Sequence, residues 1–176
     1  MQNALEMYNE IAKAWVMKAI KKPLLSIINE QNLNFDFNEP GISIQEADHR
    51  LMKMKVRVKG ILQGFVEHTN AIIMPIPLII FMASLCKEKT YVVDGFMFPF
   101  EFNRLQLDEY GAIMKIDNNL TKMICGIYLI SKILVAKVLL NPTKAGLTMS
   151  FTDVQLRNFK MLASLIHHSF MEYMTQ

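Results

Sequence analysis

Four groups of residues in this chain have side chains of the kind that do chemistry. The imidazoles are His49, His68, His167 and His168. His167 and His168 are adjacent, so on a helix their rings diverge and cannot clasp one metal ion. His49 and His68 have no carboxylate at ligand spacing that would make a convincing site. The thiols, Cys86 and Cys125, stand far apart with no CxxC or Cys/His cluster. They read as small buried hydrophobes of a reducing compartment, not as a disulfide or a metal site. Asp94, Glu101, Asp108, Glu109 and Asp117 concentrate acid in one region, where a carboxylate pair could do general acid–base work. Asp94 already reads as a turn residue, however, and Asp108-Glu109 as a solvated loop. The glycines are dispersed and form no phosphate-cradling loop, and Gly60-x-x-x-Gly64 lacks the surroundings of a membrane helix dimer motif. Asn119-Leu120-Thr121 has the form of a glycosylation sequon but no secretory signal to give it meaning. We therefore expect no catalytic residues, no metal and no cofactor.

The fourth group is basic. In "RLMKMKVRVKG", residues 50–60, Lys53, Lys55, Arg57 and Lys59 alternate with Met52, Met54, Val56 and Val58. This two-residue period predicts a half-buried strand with all four cations on one face. Such cations, about 6.5–7 Å apart, could follow the phosphates of an extended nucleic acid. The other reading is a solvated strand whose lysines keep an edge unpaired. Phe65 is the one aromatic nearby for base stacking, and the rest of the chain is nearly charge-balanced, so the solvated face is preferred.

These side chains need elements to position them. Leu5, Tyr8, Ile11 or Ala12, Trp15, Ala19 and Ile20 recur at helical spacing and predict an N-terminal helix over 3–22, ended or kinked at Pro23. At the other end Ser150-Phe-Thr-Asp153 has the form of a helix-starting box, with Met149 and Val154 as its staple. A closing helix over 152–174 follows, with Val154, Phe159, Leu162, Ala163, Ile166 and Phe170 on one face. The middle, 50–140, reads as strand-rich. Asp94-Gly95 sits between aromatic and β-branched flanks as a two-residue hairpin turn, with Pro99 marking an edge. "YGAIMKID" reads as a further strand. Residues 123–140 are a hairpin around Ser131-Lys132 or one long helix, with β-branched and aromatic content on the side of the hairpin. The expectation is a single α+β domain over 1–176. It would have an antiparallel sheet, long N- and C-terminal helices and a short buried helix between strands.

That short helix lies in "AIIMPIPLIIFMASLC", residues 71–86. The run is shorter than the roughly 20 apolar residues that span a bilayer, and Pro75 and Pro77 interrupt it. It predicts a helix starting near Pro77, with Ile79, Ile80 and Phe81 almost wholly buried. Residues 123–140 have the length to span, but Lys132 and Lys137 would each cost about 3 kcal/mol in mid-membrane, so core is preferred there too. The N-terminus carries Glu6 and Glu10 and no cleavable apolar core, which predicts no signal peptide and an intracellular location. A net charge of +3 is too small to argue for nucleic acid or an anionic membrane by itself.

Residues 127–168, "IYLISKILVAKVLLNPTKAGLTMSFTDVQLRNFKMLASLIHH", resemble the end of a GAF-type domain. There two strands lead through a short loop to a Phe-Thr-Asp/Glu start and a final helix carrying a Leu-Ala pair. Phe151, Thr152, Asp153, Leu156, Leu162 and Ala163 carry the likeness. It implies a sensor or dimerisation module with a small molecule over the sheet, though it assigns no ligand-binding residue. Composition points elsewhere. Fourteen Met and eleven Phe exceed what one core needs and suit a buried interface. Ala4, Met7, Val16 and Met17 on the first helix lie off its main core face. Leu156, Leu165, Met171 and Met174 do the same on the last. The expected function is that of a non-enzymatic protein–protein interaction subunit of a larger homo- or hetero-oligomeric assembly, with Met7, Val16, Met17, Leu165, Met171 and Met174 facing the partner. A GAF-like sensor is the first alternative. A nucleic-acid-associated protein using Lys53, Lys55, Arg57 and Lys59 is the second.

Overall fold

A computed structural model describes residues 2–30, 32–71, 74–87, 90–93, 96–99, 106–107, 113–115 and 123–175. The fold is helical, which corrects the expected α+β class. Helix α1 spans Gln2–Asn29, α2 Ile44–Ala71, α3 Ile76–Lys87, α4 Ile127–Leu139 and α5 Asp153–Thr175. What β-structure is described forms two short ribbons and no sheet beneath the core. In one, β1 (Thr90–Val93) pairs antiparallel with β2 (Phe96–Pro99), Val93 opposite Phe96. In the other, β3 (Gln106–Leu107) pairs with β4 (Ile113–Lys115). The Asp94-Gly95 turn expected between β1 and β2 lies outside the described residues.

Helix α2 replaces the strand expected at 50–60. Its inward residues run Ala47, Leu51, Met54, Val58, Ile61, Phe65, His68, alternating steps of four and three. That is the stripe of a packed helix. Ser43 caps it by accepting the Glu46 N–H at 3.1 Å. Met52 and Val56, which a strand would have placed beside Met54 and Val58, remain in solvent.

Helix α1 runs through Pro23 instead of ending there. A proline inside a helix removes the bond to the carbonyl four residues back and costs about 3 kcal/mol, so packing must hold the segment. Val16, Ile20, Leu24 and Ile27 are all buried. On α2, Gly64 lies against that same Ala19 carbonyl. A Cβ there would stand 3.3 Å from Ala19 O and 3.5 Å from Pro23 Cγ. The absent side chain lets the two backbones approach where α1 is weakest.

Helix α4 resolves the alternatives at 123–140 in favour of a helix. Residues 123–126 are α-helical, and Ile127–Leu139 take the wider π-helical winding. The Leu140 N–H continues it, bonding Val135 O five residues back at 3.0 Å. Ile127, Tyr128, Leu129, Ile133, Leu134, Val135, Val138 and Leu139 are buried, because α4 lies between α1 and α5. The two strands that the GAF likeness implies across this region are therefore one helix, and no sheet for a ligand to lie over is present among the described residues.

Four helices close a ring around the core: α1 touches α2 and α4, and α5 touches α4 and α2. Helix α3 packs on α1, with Leu78 and Met82 buried and Phe81 stacked on Tyr8 at 4.5 Å between ring centroids. It starts at Ile76, beside the expected Pro77. Ile79 and Ile80, expected in the core, are 42% and 59% exposed, and Phe81 is half-buried. Buried polar groups fix the register. The Tyr128 hydroxyl donates to Asn9 Oδ1 at 3.0 Å. Asn158 accepts the Phe35 N–H at 2.9 Å and donates to Leu33 O at 2.7 Å, tying the loop after α1 to α5. The box starting α5 is Thr152 with Gln155, two residues later than the expected Ser150–Asp153. Thr152 Oγ1 accepts the Gln155 N–H at 3.2 Å, and Gln155 Oε1 accepts the Thr152 N–H at 2.9 Å.

Candidate docking groove

Along a helix, side chains four apart share a side and those two apart do not. The four cations of 53–59 are thereby split, and a single phosphate-tracking stripe is excluded. Lys53 and Arg57 lie on one flank. Arg57 pairs with Glu30 and donates to Ser26 Oγ at 3.2 Å, clamping α2 to α1. Lys55 and Lys59 lie on the opposite flank, towards α5.

Between that flank and α5 runs an open groove of about 690 Å³. Val58, Leu62 and Val66 line it from α2, Leu165 and Ser169 from α5, and Lys55, Lys59 and Gln63 complete the walls. Among the described residues its lining includes no acidic side chain. Val66 is 55% exposed, and Met52 and Val56 continue the apolar surface along the outer face of α2. The helix–helix contact supplies rigid walls, since Val58 and Leu162 on the inward side are buried. An apolar, concave site edged by two amines, one amide and the Ser169 hydroxyl can bind a surface.

Of the partner-facing residues expected from sequence, Leu165 lines this groove and Met7 is exposed on α1. Met171 and Met174 are half-buried on the last turns of α5. Val16 and Met17 are corrected: at 0% and 9% exposure they belong to the core, because α1 is covered from the α2, α3 and α4 sides. Val58, Leu62 and Val66 were not expected at all. The signal was available in Ser43-Ile-Gln-Glu46, a helix-starting box that commits the following residues to a helical period.

Among the other chemically able side chains, Ser131, His167, His68 and Arg50 have partners inside the fold. Ser131 Oγ and His167 Nδ1 stand 3.2 Å apart, within reach for a nucleophile and base. No carboxylate orients His167 among the described residues, and Ser131 is buried inside a helix; the pair ties α4 to α5. His68 is buried against Trp15, their rings 5.3 Å apart. His49 and His168 are exposed, and no group of three metal-binding side chains occurs among the described residues. Cys125 is half-buried, while the Cys86 side chain lies outside the described residues. So do Asp94, Glu101, Asp108, Glu109, Asp117 and the sequon at 119–121. Near the start of α2, Arg50 donates to Glu46 Oε1 and to Asp36 O, each at 2.8 Å, and pairs with Glu39. The hydrogen bond from Arg50 holds the Glu46 carboxyl below its ordinary value, and the bonds to Glu39 and Glu46 push the guanidinium up.

Among the described residues no helix is long and apolar enough to cross a membrane. Comparison with family models, with curated proteins and with solved structures finds no match to this chain.

Proposed function

We propose that this chain is a non-enzymatic interaction subunit that holds another protein in the groove between α2 and α5. The observation that carries this reading is the groove itself. It is a concave, largely aliphatic surface left open between two helices whose inward faces are fully packed. Exposed aliphatic surface that is contiguous and walled by polar residues is the mark of a binding site for another macromolecule. Met52 and Val56, both exposed on α2, extend the contact area beyond the groove, which suits the 1,200–2,000 Å² or so that specific interfaces bury.

The test is the native mass of the particle that contains this chain. The chain alone is 20.3 kDa. A larger native particle that collapses to the single-chain mass on Val66→Glu, with helicity retained, supports the reading. A wild-type chain running at its own mass in the extract of its source cells removes it.

A further inference from the structure

We infer that the occupant of the α2–α5 groove is an acidic amphipathic helix of a partner protein. This rests on the docking function proposed for the same groove and adds the chemistry of the partner.

The floor has a helical period. Val58, Leu62 and Val66 follow one another at four-residue steps on α2, with Leu165 of α5 opposite. The lining runs from Lys55 to Val66, which is about 16 Å of helix at about 1.5 Å per residue. That length receives about three turns of a docked helix, whose anchors at i, i+3 or i+4, and i+7 fall into successive gaps between wall residues. The wall has a sign as well. Lys55 and Lys59 both line the groove, one turn apart, and neither has an ion-pair partner among the described residues. Arg50, Arg57 and Arg157 all have such partners. Two carboxylates at i and i+4 on the docked helix stand at the same spacing of about 6 Å and meet both amines together.

Two other surfaces among the described residues do not share this combination. The open groove on the α1–α2 seam is lined by Lys22 and Glu67 alike, so it selects no sign. The exposed Ile76, Ile79 and Ile80 of α3 carry no charge to choose a partner. Nucleic acid fits the α2–α5 groove poorly, because among the described residues no aromatic side chain lines it for base stacking. A lipid surface fits poorly too, since the site is concave.

Fluorescence anisotropy on the purified full chain tests this with defined probes. The first is a labelled 18-residue amphipathic peptide with Leu at i, i+3, i+4 and i+7 and Glu at flanking i, i+4 positions. The second is the same peptide with Lys for Glu. A single-stranded oligonucleotide and phosphatidylserine vesicles complete the set. The Glu peptide should bind saturably at low salt and about tenfold or more tightly than the Lys peptide, the preference fading as salt screens it. Lys55→Glu with Lys59→Glu should reverse the order, while Val66→Glu abolishes both; circular dichroism confirms that each variant is folded. Equal binding of both peptides, lost on Val66→Glu, would overturn the acidic partner and leave the docking groove standing. No peptide binding, or binding indifferent to Val66→Glu, would remove both. Preference for the oligonucleotide or the vesicles, or concentration-dependent self-association through Val66, would replace the inferred occupant.

Discussion

Asn158→Ala isolates one buried polar contact whose loss can be worked out from geometry. Asn158 is 2% exposed, and its amide serves two backbone groups of the loop after α1: the Phe35 N–H and the Leu33 carbonyl. The side chains of Leu33 and Phe35 are buried beside it, so water does not readily replace the amide. Leaving a buried donor or acceptor unpaired costs about 1–3 kcal/mol, and two such groups put the expected loss near 3–4 kcal/mol. In a domain of this size each kcal/mol moves Tm by about 2–4 °C, so Tm should fall by about 10 °C. Asn158→Asp provides a control. It keeps the acceptor for Phe35 but sets a carboxylate against Leu33 O. Burial and that carbonyl raise the carboxyl's folded pKa above its unfolded one, so the variant's deficit is full at neutral pH and shrinks as pH falls through the folded value. Urea unfolding by circular dichroism measures the loss, and amide hydrogen exchange at Phe35 reports the bond directly. A loss below about 1 kcal/mol with the Phe35 amide still protected would refute the reasoning.

Three further outcomes follow from packing and charge. Gly60 and Gly64 lie one turn apart on α2, yet a Cβ at Gly60 meets nothing within 4 Å while one at Gly64 presses on the Ala19 carbonyl. In thermal melts Gly60→Ala should stabilise by about 0.5–1 kcal/mol through helix propensity, and Gly64→Ala should destabilise by about 1–3 kcal/mol. At the start of α4, a Cβ on Gly126 would stand 2.7 Å from the Phe170 ring. Gly126→Ala should therefore cost about 1–3 kcal/mol, with part recovered in a double-mutant cycle with Phe170→Leu. The depressed Glu46 carboxyl contributes stability above its unfolded value of about 4.5, and that contribution is lost as pH falls through the lower folded value. Glu46→Gln should flatten this part of the acid limb in unfolding curves taken across pH, and an unchanged limb would show that the Arg50 contact contributes nothing.

The terminal helices were legible in the residues alone. Apolar recurrence at three and four predicted a helix over 3–22 and another over 152–174, and α1 and α5 occupy those segments. Long one-sided patterns survive any tertiary context, because no other element buries them as well. Helix α2 was ambiguous over 50–60, since Met54 and Val58, four residues apart, satisfy a period of two and a period of 3.6 equally. Only the longer stripe from Ala47 to His68 separates the two, and that stripe is meaningful once α1 and α5 flank it. Helix α4 was decided by its neighbours: β-branched content is a weak preference beside burial on both sides between α1 and α5. The same physics sorts the apolar surplus. A helix apolar on all sides, as α3 is, carries no internal sign of which face turns inward, so sequence could not tell Leu78 and Met82 from Ile79 and Ile80; on α1, Val16 and Met17 are set apart from Met7 only by the helices that cover them. The pairing of α2 with α5 is likewise invisible along the chain, because about a hundred residues separate Val66 from Leu165; the groove exists only where the closed ring of helices brings them together.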